Sequence, residues 1–332
     1  MKAAQIHYIV PGLLEASRLD AGLAGRGQFP ALETILSKAD HASTGGNSAQ
    51  LLFEILALSH DDISDIPTAA LSALAQLPVE QVLTSSWVQL DPVLLKPDRD
   101  QLLLYAPAQD PVAQDLLSVA DLLLQNFDDV FSEILLTSNN CLLARLVNDF
   151  HIRTRPTAAV VGRSVQAFLP DGDNALSWHG IMNEIQMLLH TTAYAETRFN
   201  ALWPHGYGRL PDGVALQREI TLVGDDDLIR GLAGFVGSPQ KTSAEFWAAA
   251  ESIAGDYLIV DETIHEAIEA QSFTQWQKQM QQLDAKLAVL LQQCRSGQLR
   301  QLHLYDADGR HFCYRSKHRW RLWRKKSGIS DW

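Results

Sequence analysis

One predicted helix carries an uncommon polar face. Steps of four, three and four residues place on one line of this helix the side chains of His179, Asn183, Gln186 and His190. Amides and neutral imidazoles donate and accept hydrogen bonds without the desolvation cost of a fixed charge. Two interpretations stay open: these groups hold a neighbouring loop in a polar network, or they contact a ligand. The spacing is not that of an HExxH zinc helix, so it does not indicate a metal site.

The segment after this helix adds groups that can hold an anion. A short predicted strand is followed by a Gly-x-Gly sequence at 206–208 and by Arg209. Backbone N–H groups and a guanidinium bind anions, although Gly-x-Gly more often marks a tight turn. The sequence therefore predicts a ligand pocket, suited to a small anionic phospho-metabolite, with eight lining residues: His179, Asn183, Gln186, His190, Asn200, Trp203, His205 and Arg209.

Acidic residues elsewhere suggest metal binding as a different chemistry. Asp225–Asp227 precede a predicted helix, where capping and the helix dipole favour acids. A two-metal site would need further ligands from other strand ends, and the candidates are Asp261 and His265. We expect no cofactor and keep Mn²⁺ or Zn²⁺ as the alternative. The sequence at 306–309, Asp-Ala-Asp-Gly, lacks the other ligands of a calcium loop and predicts a turn.

The charges are unevenly distributed along the chain. Its 332 residues include 27 Lys and Arg and 39 Asp and Glu, a formal net charge of −12. Ten of the basic residues lie in 295–332 beside three acids, which leaves 17 basic and 36 acidic residues in 1–294. An acidic body argues against general nucleic-acid binding, while the basic end keeps a local anionic partner open.

The basic end, residues 315–332, interleaves arginines with Trp320 and Trp323. We expect the two indoles to dock on the acidic body while the cations reach solvent. The alternative is that the indoles stack on a single-stranded nucleic acid, which this pattern favours less. Nucleic acid is therefore not a predicted partner, and a protein partner stays open.

The cysteines and the apolar runs indicate in which cellular compartment we expect the protein. Cys141, Cys294 and Cys313 form neither a disulfide framework nor a CxxC zinc pair. The N-terminal segment does not follow the pattern of a signal peptide, and no apolar run reaches about 18 residues. We expect a cytoplasmic protein without a membrane partner.

Short apolar runs alternate with helical patterns along the chain, which predicts an α/β sheet covered by helices. The predicted strands are Ile6–Val10, Leu102–Tyr105, Ile134–Thr137, Ala158–Val161, Ile220–Val223, Leu258–Val260 and Leu302–Tyr305, with a return strand His311–Arg315. The predicted helices are 30–38, 47–58, 67–77, 111–125, 139–150, 178–192, 226–236, 243–255 and 262–296. We expect a long loop over Pro11–Ser48 that contains the short helix 30–38, and a single domain over 1–332 with a sub-boundary near 151–176.

Two motifs resemble a known family. The runs Met182–His190 and Asn200–Pro211 look like the signature of a bacterial family related to cofactor-independent phosphoglycerate mutase, some of whose members are regulatory proteins. Weaker similarity to the same family occurs at Pro11–Leu13, Asp91–Leu95, Asp227–Ala233 and Trp320–Arg324. The resemblance implies an α/β sandwich of the alkaline phosphatase superfamily, with a central, mostly parallel sheet flanked by helices and a long C-terminal helix followed by a hairpin.

The chain departs from that family at the positions that matter for catalysis. Active mutases place an Asp-Gly metal site after the first strand, where this chain has Pro11-Gly12. Their late Gly-His-Asp-like element corresponds here to Val260–His265. Without recognisable ligands, the resemblance implies a non-catalytic regulatory or ligand-binding protein. The alternative is a metal-dependent phosphoglycerate mutase or phosphohydrolase with diverged ligands, so enzymatic activity stays open.

Overall fold

The computed structural model describes residues 4–15, 28–58, 65–107, 111–191, 199–211, 219–321 and 323–324, apart from the side chain of Ser252. The predicted loop is thus described only outside 16–27, and residues 322 and 325–332 of the basic end lie outside the described residues. The chain forms two compact units: unit 1 comprises Met1–Leu58, Ala215–Asp225 and Gly237–Trp332, and unit 2 comprises Ser59–Val214 and Asp226–Val236. The expectation of a single domain stays a prediction.

Strands and helices alternate along the chain. The strands are β1 (Ala4–Ile9), β2 (Asp40–Ser43), β3 (Trp87–Asp98), β4 (Gln101–Tyr105), β5 (Phe131–Leu136), β6 (Leu142–Leu146), β7 (Ile152–Arg153), β8 (Asp171–Gly172), β9 (Ala201–Gly208), β10 (Ile220–Val223), β11 (Gln240–Lys241), β12 (Asp256–Val260), β13 (Leu299–Tyr305) and β14 (Arg310–Arg315). The helices are α1 (Pro30–Lys38), α2 (Ser48–Leu56), α3 (Thr68–Ala73), α4 (Val79–Val82), α5 (Ala113–Asn126), α6 (Ala175–His190), α7 (Asp227–Val236), α8 (Ser243–Ala248), α9 (Thr263–Glu269) and α10 (Phe273–Ser296).

Unit 1 is built on a seven-stranded sheet in the order β11-β10-β12-β1-β13-β14-β2. The pairs from β11 to β13 are parallel, and β14 and β2 add two antiparallel pairs. β1 is buried along its whole length, as expected of a central strand in a parallel sheet. The predicted fold class is confirmed: an α/β protein with a mostly parallel sheet, flanking helices, a long helix near the C-terminus and a hairpin after it.

The long helix α10 packs its apolar stripe into the core of unit 1. Trp276, Met280, Leu283 and Leu287 are among its buried residues. The predicted helix 262–296 is divided into α9 and α10, because Gln271 adopts a left-handed conformation with φ of 52° between them. None of the helices in the described ranges, α10 included, is long and apolar enough to cross a membrane.

Unit 2 contains an antiparallel sheet in which β3 is the organising strand. The order is β4-β3-β6-β5, and β9 also pairs with β3. Different stretches of β3 pair with different neighbours: 87–90 with β6, 87–93 with β9 and 94–98 with β4. Helices α5 and α6 cover this sheet through a shared cluster that includes Leu116, Leu123, Trp178 and Ile185.

Two predicted elements of unit 2 are wrong. The predicted helix 139–150 is instead the strand β6, entered through a turn in which Asn140 has a φ of 57°. A short apolar run is compatible with a helix or with a buried strand, and here pairing with β3 and β5 makes it a strand. The predicted strand Ala158–Val161 is a 3₁₀ turn at Thr157–Ala159 that continues into an isolated bridge between Leu104 and Val161.

The basic end of unit 1 is attached through two arginines and not through the indoles. Arg321 pairs with Asp40, and Arg324 bonds the main chain after α1, so these two cations contact the body, while Lys317 and Arg319 are exposed as expected. Trp320 and Trp323 are 64% and 76% exposed. The expected docking of the indoles is therefore wrong, because a carboxylate and the free carbonyls of a helix C-terminus attract the guanidinium groups instead.

Candidate ligand pocket

A cavity of about 240 Å³ lies in unit 2 between α6, the sheet and the segment after β7. Eight of its eleven lining residues are apolar: Leu95, Leu102, Val165, Leu169, Met182, Ala201, Leu202 and Trp203. The other three are His179, Asn183 and Gln186. None of these lining residues carries a fixed charge. An apolar cavity with a few polar groups on one side is the usual form of a small-molecule site, although this one lies below the common range of about 300–1,000 Å³.

The polar side of the cavity comes from α6. This helix is anchored by Trp178, Ile185 and Leu189, which are buried, and so its adjacent line of polar residues faces the cavity. His179 Nε2 lies 2.8 Å from the carbonyl oxygen of Pro170. Because a carbonyl only accepts, Nε2 carries the proton and, in the neutral ring, Nδ1 is left as an acceptor. Asn183 is exposed, whereas His179 is half-buried.

The apolar side of the cavity comes from β3, β4 and β9. Asn200 fastens the start of β9 to β3, since its Oδ1 accepts from the Leu95 N–H at 2.7 Å and its Nδ2 donates to the Leu95 carbonyl at 2.9 Å. Trp203 is almost fully buried, and its Nε1 donates to the Arg155 carbonyl at 2.8 Å. With the indole N–H engaged, Trp203 offers the cavity an apolar surface.

The structure brings together four of the eight predicted residues: His179, Asn183, Gln186 and Trp203 line one cavity. The other four do not line it. His190 is exposed at the end of α6, and Asn200 bonds the main chain of Leu95. His205 pairs with an aspartate of β3, and Arg209 pairs with Asp149 at 3.0 Å. A role for these residues in ligand binding stays a prediction.

The Gly-x-Gly sequence is part of β9 and packs closely against neighbouring chain. Gly206 has a φ of 63°, and a Cβ atom there would overlap Thr68. Gly208 has a φ of 148°, and a Cβ atom there would lie 3.0 Å from Pro67. The glycines are needed for this close approach and for the left-handed backbone, which gives them a structural use.

Asp91 of β3 and His205 of β9, each with a side chain that is 15% exposed, form a pair on two strands that also line the cavity. His205 Nε2 is 2.8 Å from Asp91 Oδ2, and Thr157 Oγ1 and Gln89 Nε2 donate to the same carboxylate at 2.5 and 2.8 Å. Burial alone would raise the pKa of Asp91, but the charge and hydrogen bond of His205 and the two further donors outweigh it, so the pKa lies far below its ordinary value. Burial, with the charge of Asp91, raises the pKa of the nearby Cys141 thiol, which is therefore protonated and a poor nucleophile.

In unit 1, the candidate metal ligand Asp261 already has a full set of partners. Its carboxylate accepts from Tyr8 Oη at 2.8 Å, from Thr263 Oγ1 at 2.6 Å and from Lys286 Nζ at 2.8 Å. Burial opposes ionisation, but Lys286 and the two hydroxyl donors outweigh it and lower the pKa of Asp261. A metal ion at Asp261 would have to displace the ammonium of Lys286.

The other candidate metal ligands also have local partners. Asp226 Oδ1 accepts from the Ile229 N–H at 2.7 Å, which is the capping role expected at the start of α7. Asp227 pairs with Arg230, and Asp225 Oδ1 accepts from the Ser243 N–H at 3.2 Å. Within the described ranges, no three or more His, Cys, Asp or Glu side chains are grouped to hold a metal ion. The predicted turn at 306–309 is confirmed.

The sequence missed most of the apolar wall. Leu95, Leu102, Val165 and Leu169 come from three separate segments, and none belongs to a periodic pattern that points to a cavity. Asp91 entered only as part of a weak motif, and its pairing with His205 follows from the register of β3 against β9.

The structure is an α/β protein with a cavity in unit 2, and comparisons with known proteins bear on the fold. No family model and no curated protein matches the chain. Among solved structures, the chain is similar to the PH0037 protein from Pyrococcus horikoshii, with a TM-score of 0.51, 11% identity, and coverage of 94% of this chain and 86% of that one. It is also similar to the cofactor-independent phosphoglycerate mutase from Thermoplasma acidophilum DSM 1728, with a TM-score of 0.45, 12% identity, and coverage of 95% and 90%. At these identities the likeness concerns the fold alone.

Proposed function

We propose that this chain is a non-catalytic ligand-binding protein on a phosphoglycerate-mutase-like fold, and that the cavity of unit 2 is its ligand site. The observation that carries the proposal is the set of three uncharged polar residues on an otherwise apolar lining. The amides of Asn183 and Gln186 make no hydrogen bond within the described part of the chain. Such groups are positioned to bond a ligand that replaces water.

The lining indicates the class of ligand. An apolar body fits against Trp203 and the leucines, and a polar edge that both donates and accepts fits the two amides and His179 Nδ1. A charged group would be desolvated in this cavity without a counter-ion among the described lining residues. The proposal therefore favours a small uncharged molecule, such as an aromatic ring that bears a carboxamide.

The anionic phospho-metabolite suggested by the sequence requires Arg209. That guanidinium contacts Asp149 and, at 3.2 Å, Ser86 Oγ, and it does not line the cavity. An anion would have to bind Arg209 in competition with Asp149. For this reason a phosphorylated ligand is the alternative that the test must distinguish.

A metal-dependent mutase or phosphohydrolase is the other alternative. It would need Asp261 as a ligand, and the Lys286 ammonium at 2.8 Å already neutralises that carboxylate. This arrangement supports a non-catalytic role, because the lysine supplies a fixed positive charge but no open coordination position for a nucleophile.

Calorimetric titration with matched probes tests the proposal. Benzamide has the expected ring and uncharged edge, benzoate is its charged counterpart, and 3-phosphoglycerate represents the anionic alternative. For a ligand of this size we expect a Kd on the order of 1 mM for benzamide and much weaker binding of benzoate. Asn183→Leu, which removes one amide, should weaken benzamide binding about tenfold. Met187→Leu, on the exposed side of the same helix, should leave it unchanged.

The outcomes separate the alternatives. No heat with benzamide, or the same affinity in Asn183→Leu, would overturn the proposal. Binding of 3-phosphoglycerate that is lost in Arg209→Gln would replace it with the anionic site. Turnover of 3-phosphoglycerate on addition of Mn²⁺ would replace it with the enzyme.

A further inference from the structure

The basic end of unit 1 forms a second surface that the ligand pocket does not involve. Four exposed residues make up this surface, here called the Trp face: Lys317, Arg319, Trp320 and Trp323. The two indoles are 64% and 76% exposed. Tryptophan is enriched at interaction sites, because its ring is apolar and its N–H is polar.

The segment that carries the Trp face is clamped to the body. Arg321 Nη2 lies 2.7 Å from Asp40 Oδ1, and its Nη1 donates to the Lys38 carbonyl at 2.9 Å. Arg324 Nη1 donates to the Ala39 carbonyl at 2.7 Å. In return, Lys38 Nζ donates to the Arg319 carbonyl at 3.2 Å. These contacts satisfy the carbonyls of Lys38 and Ala39 at the end of α1, where free carbonyls favour cations.

The clamp determines which side chains face outward. Arg321 and Arg324 are directed at the body. Trp320, which precedes Arg321, and Trp323, which lies between the two arginines, are therefore exposed to solvent. The Arg319 guanidinium lies over the Trp320 ring, 4.7 Å from its centroid, so a cation and an aromatic surface are held together. No acidic residue occurs between Gly309 and Ser330 in the sequence. The exposed chemistry is therefore aromatic and positive.

We propose that the Trp face binds a short stretch of single-stranded nucleic acid. Unpaired bases stack on exposed aromatic rings, and Lys317 and Arg319 neutralise the adjoining phosphates. Because the rest of the chain is acidic overall, a narrow anionic partner is favoured over an extended one. The negative charge of a duplex or an anionic bilayer covers a wide surface and would be repelled by acidic residues of the chain. A single strand is narrow and flexible enough to contact the Trp face alone.

Fluorescence anisotropy of a labelled oligothymidylate of about twelve nucleotides tests this with the full chain. Trp320→Ala and Trp323→Ala should each weaken binding roughly tenfold, since loss of one stacked base has about that effect. Both residues are exposed, so these variants should fold normally. Neutralising two phosphates predicts a slope of about −1.4 in a plot of log K against log salt, which the double variant Lys317→Gln with Arg319→Gln should bring close to zero.

Matched controls lie on other exposed parts of the chain. Leu176→Ala removes an apolar side chain that is 85% exposed, and Lys278→Gln removes an exposed cation of α10. Neither should change oligothymidylate binding. The proposal is overturned if the oligonucleotide does not bind, if the Trp variants bind as the wild type does, or if only vesicles of phosphatidylserine and phosphatidylcholine are bound. Equal affinity for a duplex of the same length would also contradict it.

Discussion

Lys286 Nζ lies 2.8 Å from Asp261 Oδ2, so the carboxylate that follows β12 has its counter-ion within the chain. Lys286 belongs to α10, and β12 lies next to β1 in the sheet. In an open parallel sheet, the carboxyl ends of the strands are where ligands commonly bind. Here a lysine and two hydroxyl groups bond the Asp261 carboxylate, so this candidate metal ligand is part of a structural ion pair.

Removing this lysine should destabilise the protein. Lys286→Met leaves the buried Asp261 with two hydroxyl donors and no counter-ion, at an expected loss of about 1–3 kcal/mol in the free energy of unfolding. Lys278→Met, on an exposed position of the same helix, should change it by less than about 0.5 kcal/mol. Urea unfolding of both variants checks this. Equal stabilities of the two would mean that the ion pair contributes nothing.

The Asp91–His205 pair predicts a dependence on pH. The pKa of Asp91 is lowered in the folded protein, so its ionisation stabilises the fold above the unfolded-state pKa of about 4 and this contribution is lost as pH falls below that. Asp91→Asn should lower the free energy of unfolding by about 2–4 kcal/mol at pH 7. The difference from the wild type should shrink between pH 4 and pH 2. A constant difference over that range would contradict the assignment.

The packing of α3 against α7 depends on one glycine. A Cβ atom at Gly231 would overlap the carbonyl oxygen of Leu71, whereas a Cβ atom at Gly234 would meet nothing within 4 Å. Gly231→Ala should therefore cost about 2–3 kcal/mol of stability. Gly234→Ala should increase stability by up to about 1 kcal/mol, because alanine is the better helix former. Thermal unfolding of the pair is the measurement, and similar melting temperatures would show that the close approach is absent.

His318 should make the basic end sensitive to acid. Burial, and then the charge of Arg321, lowers the pKa of His318 to about 4, against about 6.5 in the unfolded chain. Between these values the unfolded state binds the proton and the folded state does not, so stability falls as pH falls from 6.5 towards 4. From pH 7 to pH 5 the wild type should lose about 1–2 kcal/mol more than His318→Gln. Parallel losses in both proteins would contradict this.

How far the sequence predicts the site depends on whether its signal is periodic. The polar line of α6 was recognisable because His179, Asn183 and Gln186 follow the helical period, and these residues do line one cavity. The opposite wall is not predictable from the sequence, because Pro92 and Pro97 suggest a loop where the structure has the strand β3. Each proline lies where only one neighbouring strand pairs with β3. At such a position the missing N–H of proline is tolerated.

The basic end shows a second limit. Its composition predicted docking on the body, and docking occurs, but the sequence did not reveal which side chains make the contact. That choice depends on Asp40 and on the free carbonyls after α1, both more than 270 residues away along the chain. A contact decided by a distant partner leaves no local pattern from which to predict it.

The most direct test of the proposed ligand site is a crystal structure of the protein soaked with benzamide. Ring density is expected against Trp203 and Leu95, with the carboxamide within hydrogen-bond distance of Asn183, Gln186 or His179 Nδ1. This density should be absent in Ala201→Phe, whose larger side chain is expected to fill the cavity. An empty cavity in wild-type crystals at saturating benzamide, or benzamide bound only elsewhere on the chain, would contradict the proposed site.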